Sequence, residues 1–161
     1  LRFASGEFKE LPTLGGPLAH AYGINAEKLV VGFSQLEESQ STHGFVHHPL
    51  FGISDLGVLP GGRRSLAMAV NDREVIVGSA DDENGVETAV IWERGEIVPL
   101  AVPWGLESTD ATAINQQGYI AGFGLYEAEE DDSRPKAADT SASSGISVSS
   151  GVEEIELEQI D

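Results

Sequence analysis

The sequence predicts an all-β chain, a β-propeller-like array of about 3.5 four-stranded repeats that forms a partial or open propeller with no significant helix. A thirteen-residue segment occurs three times, at 22–34, 68–80 and 112–124. Short β-branched runs separated by Gly, Pro, Asn and Asp surround each copy, and no stretch has a helical period. A repeat of this length is typical of one supersecondary unit stacked on copies of itself.

Two positions recur in every copy. The first is an asparagine, whose side chain can bond a backbone amide two residues on and so start a turn. The second is a glycine seven residues later, inside a β run, where glycine indicates close backbone approach or a bulge. We therefore predict structural roles for the asparagines and glycines of the three copies: Asn25, Gly32, Asn71, Gly78, Asn115 and Gly122.

The middle copy defines the elements of one repeat in order. Strands over 66–71 and 75–79 form a first hairpin. Strands over 88–92 and 96–100 form a second hairpin, which turns at Arg94-Gly95. Four short strands in about 45 residues is the spacing of a propeller blade.

The fourth position of the first turn is expected to have a positive φ. Glycine reaches that region freely and occupies the position as Gly118 in the third copy, whereas Lys28 and Glu74 occupy it in the other two. A non-glycine residue there costs on the order of 1 kcal/mol if the turn geometry is kept.

The repeat divides the chain into four segments, with the glycines Gly61 and Gly62 leading from one repeat into the next. The segments are 1–14 (the last two strands of a preceding repeat), 15–62 (repeat 1), 63–105 (repeat 2) and 106–161 (repeat 3). Such an array does not close into a ring alone. We therefore expect an excerpt of a longer array, or a sheet edge that another chain covers.

Three strands outside the middle copy follow from the same alignment. In repeat 1 the fourth strand is expected over 53–59. In repeat 3 the third and fourth strands are expected over 146–148 and 151–157. They follow an acidic insertion at 126–144, which is expected to be disordered because its composition cannot bury apolar surface.

The composition disfavours several partner classes. The chain has 9 basic and 27 acidic residues, a formal net charge of −18, so nucleic acid and anionic membranes are not expected as partners. It has no cysteine, which excludes disulfides and thiolate metal sites. No apolar run reaches the roughly 18 residues that a membrane helix needs, so we predict no membrane insertion.

Four motifs in this order resemble the HAF family of bacterial extracellular repeats: Ala-Tyr-Gly-Ile-Asn at 21–25, Val-Val-Gly-Phe-Ser at 30–34, His-Gly-Phe-Val at 43–46 and Asp-Leu-Gly-Val-Leu-Pro-Gly-Gly at 55–62. That family is named for a His-Ala-Phe triplet between an Ile-Asn…Val-Val-Gly segment and an Asp-Leu-Gly-Thr-Leu-Gly-Gly segment. The resemblance covers residues 1–126 and implies an exported protein with β-propeller-like repeats, extracellular or on the bacterial cell surface. Here the triplet is His-Gly-Phe and becomes Thr-Ala-Val in the second copy, which argues against a repeated chemical role for its histidine.

Candidate chemical sites are few. His43 and His47 would share one strand face and are the histidine candidates for a metal, with sheet packing as the alternative. Asp81 and Asp82 lie in a polar loop that superficially resembles a calcium loop, although both key carboxylates of such a loop are absent when it is aligned on its glycine. No nucleophile elbow or phosphate-cradling glycine loop is present. We therefore predict no catalytic and no cofactor-binding residues, with calcium as the one ion considered.

Three functions follow, in this order. The first is a non-enzymatic extracellular or surface binding module for an unknown protein or glycan ligand, using loops 35–42, 81–87 and 126–144, where the copies differ. The second is a structural or matrix protein that self-associates through exposed sheet edges. The third is a glycan-active enzyme fragment, for which the sequence offers only scattered acidic residues. We predict that the chain is not an enzyme.

Overall fold

The computed structural model describes residues 2–4, 7–37, 39–101, 106–126 and 152–157, and every regular element within them is a β-strand. The predicted all-β class without helix is confirmed for these residues. No helix in the described part of the chain could cross a membrane. The strands are β1 (Arg2–Ala4), β2 (Glu7–Lys9), β3 (Gly15–Ile24), β4 (Val30–Leu36), β5 (Thr42–His48), β6 (Gly52–Asp55), β7 (Ser65–Val70), β8 (Ile76–Asp81), β9 (Glu87–Glu93), β10 (Glu96–Pro99), β11 (Leu106–Ile114), β12 (Ile120–Tyr126) and β13 (Val152–Leu157).

The strands form antiparallel sheets in which neighbours in sequence are neighbours in space. β3–β6 form the first sheet, β7–β10 the second and β11–β13 the third, while β1 and β2 form a separate hairpin. No sheet among the described strands closes on itself. In the hairpin, Phe3 lies opposite Phe8, which is the register of Trp92 with Ile97 in the second sheet.

The third sheet differs from its prediction. Strand β13 was expected to be the fourth strand of repeat 3, but it pairs directly with β12 and is therefore the third strand. The register explains the assignment, because Ile155 lies opposite Gly122 as Val90 lies opposite Gly78. The predicted strand at 146–148 and the insertion at 126–144 lie outside the described residues, except for Tyr126, which ends β12.

The fourth strand of the first sheet is shorter than predicted. It ends at Asp55, not at 59. The Asp55 carboxylate accepts a hydrogen bond from the Gly57 amide over 2.7 Å, and Gly57 has a φ of 73°, so the chain turns away from the sheet at that point.

The recurring glycines lie where two backbones approach closely. A Cβ at Gly32, Gly78 or Gly122 would overlap a backbone carbonyl oxygen on the neighbouring strand, that of His20, Leu66 or Asp110 respectively, which in each case is the residue before the glycine's pairing partner. The pairing shifts by one residue immediately beyond each glycine's partner, which is a β-bulge in β3, β7 and β11. Both features explain why only glycine fits these positions.

The turn that joins the first two strands of each sheet has one left-handed residue. The φ angles are 66° at Lys28, 64° at Glu74 and 94° at Gly118, so the predicted positive φ is confirmed. The turn runs over four residues from the asparagine to the left-handed residue, whose amide donates to the asparagine carbonyl over 3.1, 3.1 and 3.2 Å.

Successive sheets pack face to face around two apolar cores. β7 contacts β3, β4 and β5, and β11 contacts β7, β8 and β9. The first core, between the first and second sheets, is built on Val31, Ala67, Val70, Ile76, Val90 and Trp92. The second core, between the second and third sheets, is built on Val75, Val77, Ala89, Ile91, Ala111 and Ile120.

The turn asparagines also join the sheets to one another, in what we call the asparagine ladder. The side-chain Nδ2 of Asn25 donates to the carbonyl of Asn71 over 2.9 Å, and Nδ2 of Asn71 donates to the carbonyl of Asn115 over 3.2 Å. Each Oδ1 accepts an amide within its own turn, from Leu29, Val75 and Tyr119 over 2.9, 3.1 and 3.0 Å. One side chain therefore closes a turn and positions the next sheet.

Two further hydrogen bonds each join a sheet to the next one. The amide of Gly44 donates to Oγ of Ser65 over 2.8 Å, and the amide of Ala89 donates to Oγ1 of Thr109 over 2.9 Å. Both hydroxyls lie on the first strand of a sheet and both amides on the third strand of the sheet before it. Polar contacts therefore fix the stacking at the centre of each interface as well as at the turns.

Replacement of Asn71 by aspartate tests the ladder. The change keeps the acceptor for the Val75 amide but removes the donor to Asn115, and it places a buried carboxylate against a carbonyl oxygen. We expect the free energy of unfolding to fall by about 2–4 kcal/mol in urea denaturation. The matched control is Asn115→Asp, because Asn115 is exposed and its Nδ2 has no carbonyl partner in the described residues. Equal losses for the two variants would contradict the inter-sheet role of Asn71.

Replacement of Gly78 by alanine tests the close backbone approach. The new Cβ would overlap the Leu66 carbonyl, so β7 and β8 must separate, and we expect a loss of about 2–4 kcal/mol. The comparison variant is Gly95→Ala, which has a φ of 84° but no atom near the added Cβ, and for which about 1 kcal/mol is expected. Urea denaturation of both variants would refute the explanation if Gly95→Ala were the more damaging.

Candidate functional site

A cleft of about 680 Å³ opens at the end of the sheets that carries the ladder turns. Residues from all three sheets line it, which makes it a product of the stacking and not of any single repeat. Its apolar wall is formed by Leu29, Val46, Leu56, Val75, Ile76, Trp92 and Ile114. Its polar wall is formed by His48, Ser54, Asp55, Arg73, Glu74, Glu93 and Arg94.

Two turns bring both arginines to this cleft. Arg73 and Glu74 belong to the ladder turn that begins at Asn71. Arg94 occupies the two-residue turn between β9 and β10, with a φ of 53° beside 84° at Gly95. Positive φ at both central residues matches the right-handed twist of the flanking strands. The cleft therefore carries two arginines in a chain with only 9 basic residues.

Trp92 lines the cleft and also carries a buried polar atom. The residue is 3% exposed, and its Nε1 is buried with no hydrogen-bond partner in the described part of the chain. A buried N–H without a partner costs about 1–3 kcal/mol.

Beside the cleft, the turn between β5 and β6 projects two apolar side chains, Leu50 and Phe51, which we call the apolar tip. Both residues are 82% exposed. Phe51 lies against the ring of His48, with centroids 4.5 Å apart, and the Leu50 amide donates to Nδ1 of His48 over 3.1 Å. His48 also lines the cleft, so the tip and the cleft are continuous.

The tip is an addition to the minimal turn. In the second sheet the equivalent strands are joined by Arg94-Gly95 alone, between the paired residues Glu93 and Glu96. In the first sheet the equivalent pair is His48 with Gly52, so the turn is one residue longer. The hairpin closes without this extra length, and folding therefore does not account for two exposed apolar side chains there.

The two histidine candidates take separate positions along β5. Nδ1 of His43 lies 2.9 and 3.0 Å from the two carboxylate oxygens of Asp55 on β6. His47 is buried at 7% exposure. Four residues along a strand span about 13 Å, so this spacing does not bring the two imidazoles to one ion. Among the described residues, no three histidine or acidic side chains form a group that could hold a metal.

The two aspartate candidates cap backbone amides. Both Arg63 and Arg64 donate their amides to Oδ1 of Asp81 over 2.6 Å, which fastens the Gly61-Gly62 linker to the end of β8. Asp82 accepts the Asn84 and Val86 amides over 2.8 and 3.0 Å and closes the turn into β9. Both carboxylates therefore stabilise turns, at the end of the sheets opposite to the cleft.

The pKa values of these two carboxyls follow from the same contacts. Burial by itself raises the pKa of Asp81, but the hydrogen bonds from Arg64 and Arg63 outweigh it and the net pKa lies below 3.8. The amide of Val86 is the main cause of a lowered pKa at Asp82, where the bonds from Asn84 act in the same direction.

A separate acidic group lies where the second and third sheets meet. Oγ of Ser79 donates to Oε1 of Glu87 over 2.8 Å. Burial raises the pKa of Asp110 on the third sheet, the negative charge of Glu87 adds to the rise, and a hydrogen bond with Ser79 opposes it. None of the three lines the cleft, so this group supplies no acid or base to a ligand bound there.

The two loops chosen from the sequence that the structure describes lie away from the cleft. Loops 35–42 and 81–87 join second to third strands, at the opposite end of the sheets, and 127–144 lies outside the described residues. The signal for the tip is visible in the alignment of repeats, as Pro49-Leu50-Phe51 against Arg94-Gly95. The cleft itself has no such signal, because its lining comes from three repeats.

The cap formed by Asp81 predicts an acid dependence of stability. Because the pKa is lowered in the folded state, the stabilisation is complete above the unfolded value near 3.8 and is lost as the pH falls below it. We expect Asp81→Asn to be less stable than the wild type at pH 7 by about 1–2 kcal/mol, and the difference to shrink as the pH is lowered through about 4 towards 2.5. Urea denaturation across this range measures it. The control is Glu83→Gln, an exposed neighbour that should leave the acid profile unchanged, and a pH-independent difference for Asp81→Asn would contradict the assignment.

Comparison with known proteins identifies no relative of the chain. No family model, no curated protein and no solved structure matches it.

Proposed function

We propose that the chain is a non-enzymatic binding module that holds a protein partner at the apolar tip and in the adjoining cleft. The observation that carries the proposal is the exposure of Leu50 and Phe51, each 82%, on a turn that is longer than the hairpin requires. Adjacent exposed large apolar side chains are typical of interaction sites. Fully burying such a side chain contributes about 1.5–3 kcal/mol, so the two together can anchor an interface.

The charges of the cleft restrict the partner's chemistry. Arg73 and Arg94 offer donors for a carboxylate or a carbonyl group, whereas Asp55, Glu74 and Glu93 accept from a basic or amide group. The net charge of −18 repels a strongly acidic protein at long range. A partner with an apolar pocket for the tip, polar groups of both kinds and an overall charge that is not negative fits best.

The scaffold supports this use. We propose that the stacked sheets continue as the blades of an open propeller, in which the first strands lie innermost and the turns of neighbouring blades meet. The face-to-face packing and the asparagine ladder support this arrangement. Loops on such a rigid frame keep their geometry with little loss of conformational entropy on binding.

The family and the location belong to the same proposal. Membership of the HAF family, and an extracellular or cell-surface location in a bacterium, rest on the motifs at 21–25, 30–34, 43–46 and 55–62. The absence of an enzymatic activity rests on the lack of a catalytic motif. A location outside the cell or on its surface agrees with the proposed binding of a separate protein.

Selection of peptides by the full chain tests the proposal. A displayed random peptide library is selected on the wild type, and the enriched peptides are measured by fluorescence anisotropy. We expect Phe51→Ser to weaken their binding at least about tenfold, because the anchor at the tip is lost. The matched control is Val98→Ser on β10, a half-exposed apolar residue outside the cleft, which should bind as the wild type does.

Two outcomes would count against protein binding at this site. One is the recovery of peptides that bind Phe51→Ser as tightly as the wild type. The other is binding to a glycan array that survives Phe51→Ser but is lost on Arg94→Ser, which would favour a glycan ligand in the cleft.

A further inference from the structure

Each sheet has two faces, and the internal interfaces show what covers each of them. The leading face packs on the preceding sheet. It includes the residue four positions before the ladder asparagine and the residue immediately before it, which in the second sheet are Ala67 and Val70. The trailing face packs on the following sheet. It includes the residues four and six positions after the ladder asparagine, which in the second sheet are Val75 and Val77. Among the described strands, no sheet packs on the leading face of the first sheet or on the trailing face of the third.

The leading face of the first sheet is exposed at positions that are buried in the next sheet. Val70 is 9% exposed, but its counterpart Ile24 is 58% exposed. Ala67 and Ala111 are fully buried, whereas their counterpart Ala21 is exposed. The residue types remain small or apolar, so the face keeps the character of an interface without a sheet against it.

The trailing face of the third sheet shows the complementary exposure. Leu29 and Val75 are 3% and 7% exposed, whereas their counterpart Tyr119 is 45% exposed. Val31 and Val77 are fully buried, and their counterpart Ala121 is exposed.

The asparagine ladder is open at the same two ends. The carbonyls of Asn71 and Asn115 each accept a turn amide and the Nδ2 of the preceding asparagine. The carbonyl of Asn25 accepts only the Lys28 amide among the described residues, and Nδ2 of Asn115 has no partner there. One end therefore lacks a donor and the other lacks an acceptor.

We propose that a second copy of this chain docks head to tail on these faces, with the trailing face of one copy on the leading face of the other. Tyr119 and Ala121 of one copy then cover Ala21 and Ile24 of the next, and Nδ2 of Asn115 donates to the carbonyl of Asn25. The occupant follows from continuity with the two internal interfaces, which join the same positions by the same contacts. The interface joins sheet faces and not the sheet edges named from the sequence, and it does not use the apolar tip.

Sedimentation equilibrium and size exclusion with light scattering on the full chain test the proposal. From about 10 μM to about 500 μM, where weak association becomes measurable, the wild-type mass should rise above the 17.0 kDa of one chain. Ile24→Glu places a charge on the leading face and Tyr119→Glu places one on the trailing face, so each variant alone should remain a monomer. Their mixture should form a 1:1 dimer, because each variant supplies the face that the other lacks.

The complementation separates head-to-tail docking from other kinds of association. Far-UV circular dichroism checks that each variant is folded, and Ala21→Glu replaces Ile24→Glu if the latter is not. Val98→Glu is the matched control, since it charges a half-exposed apolar residue on β10 of the second sheet, outside both faces, and should associate as the wild type does. A monomeric wild type at the highest concentration, association of either single variant, or a mixture that stays monomeric would each overturn the proposal.

Discussion

One amide side chain per repeat sets the geometry of this protein. The asparagine at each turn uses its oxygen within its own hairpin and its nitrogen on the carbonyl of the next hairpin. A single hydrogen bond of this kind contributes only about 1 kcal/mol, but Asn71 is 1% exposed, so its polar atoms must all be satisfied where they lie. Any slip of one sheet along its neighbour would leave a buried donor without an acceptor. The apolar cores favour stacking in general, and the ladder selects one register for it.

The part of the fold that could be predicted from the sequence is the part that local chemistry determines. Turn asparagines, a left-handed fourth position and strand glycines each have a cause within a few residues, and the hairpins of the second sheet lie close to their predicted positions. The inter-sheet bond of the asparagine was missed, because its acceptor lies 46 or 44 residues away. The role of β13 was also missed, since only pairing distinguishes a third strand from a fourth across a long connection.

The candidate site shows the same limit of prediction from the sequence. Asp81 and Asp82 superficially resemble part of a calcium loop in the sequence, but both carboxylates accept backbone amides and close turns. The cleft instead gathers residues from three sheets, none of which marks a site within its own repeat. Only the extra length of the turn at Leu50 and Phe51 could have been read from the alignment of repeats. Composite sites depend on stacking, and stacking is not encoded in any one repeat.

The bulged hairpins have a consequence for how the chain accommodates added sequence. Each first hairpin is fixed at its turn by the ladder and at its middle by a glycine against a carbonyl, so length can change only at the far end. There, β12 and β13 are separated by residues 127–151, yet Gly122 faces Ile155 in the same register as Gly78 faces Val90. Because the entropy of closing a loop grows only with the logarithm of its length, a long connection at this end adds little cost. The ends of the sheets opposite to the cleft are thus natural grafting points, where a foreign segment could be carried without altering the frame or the binding surface.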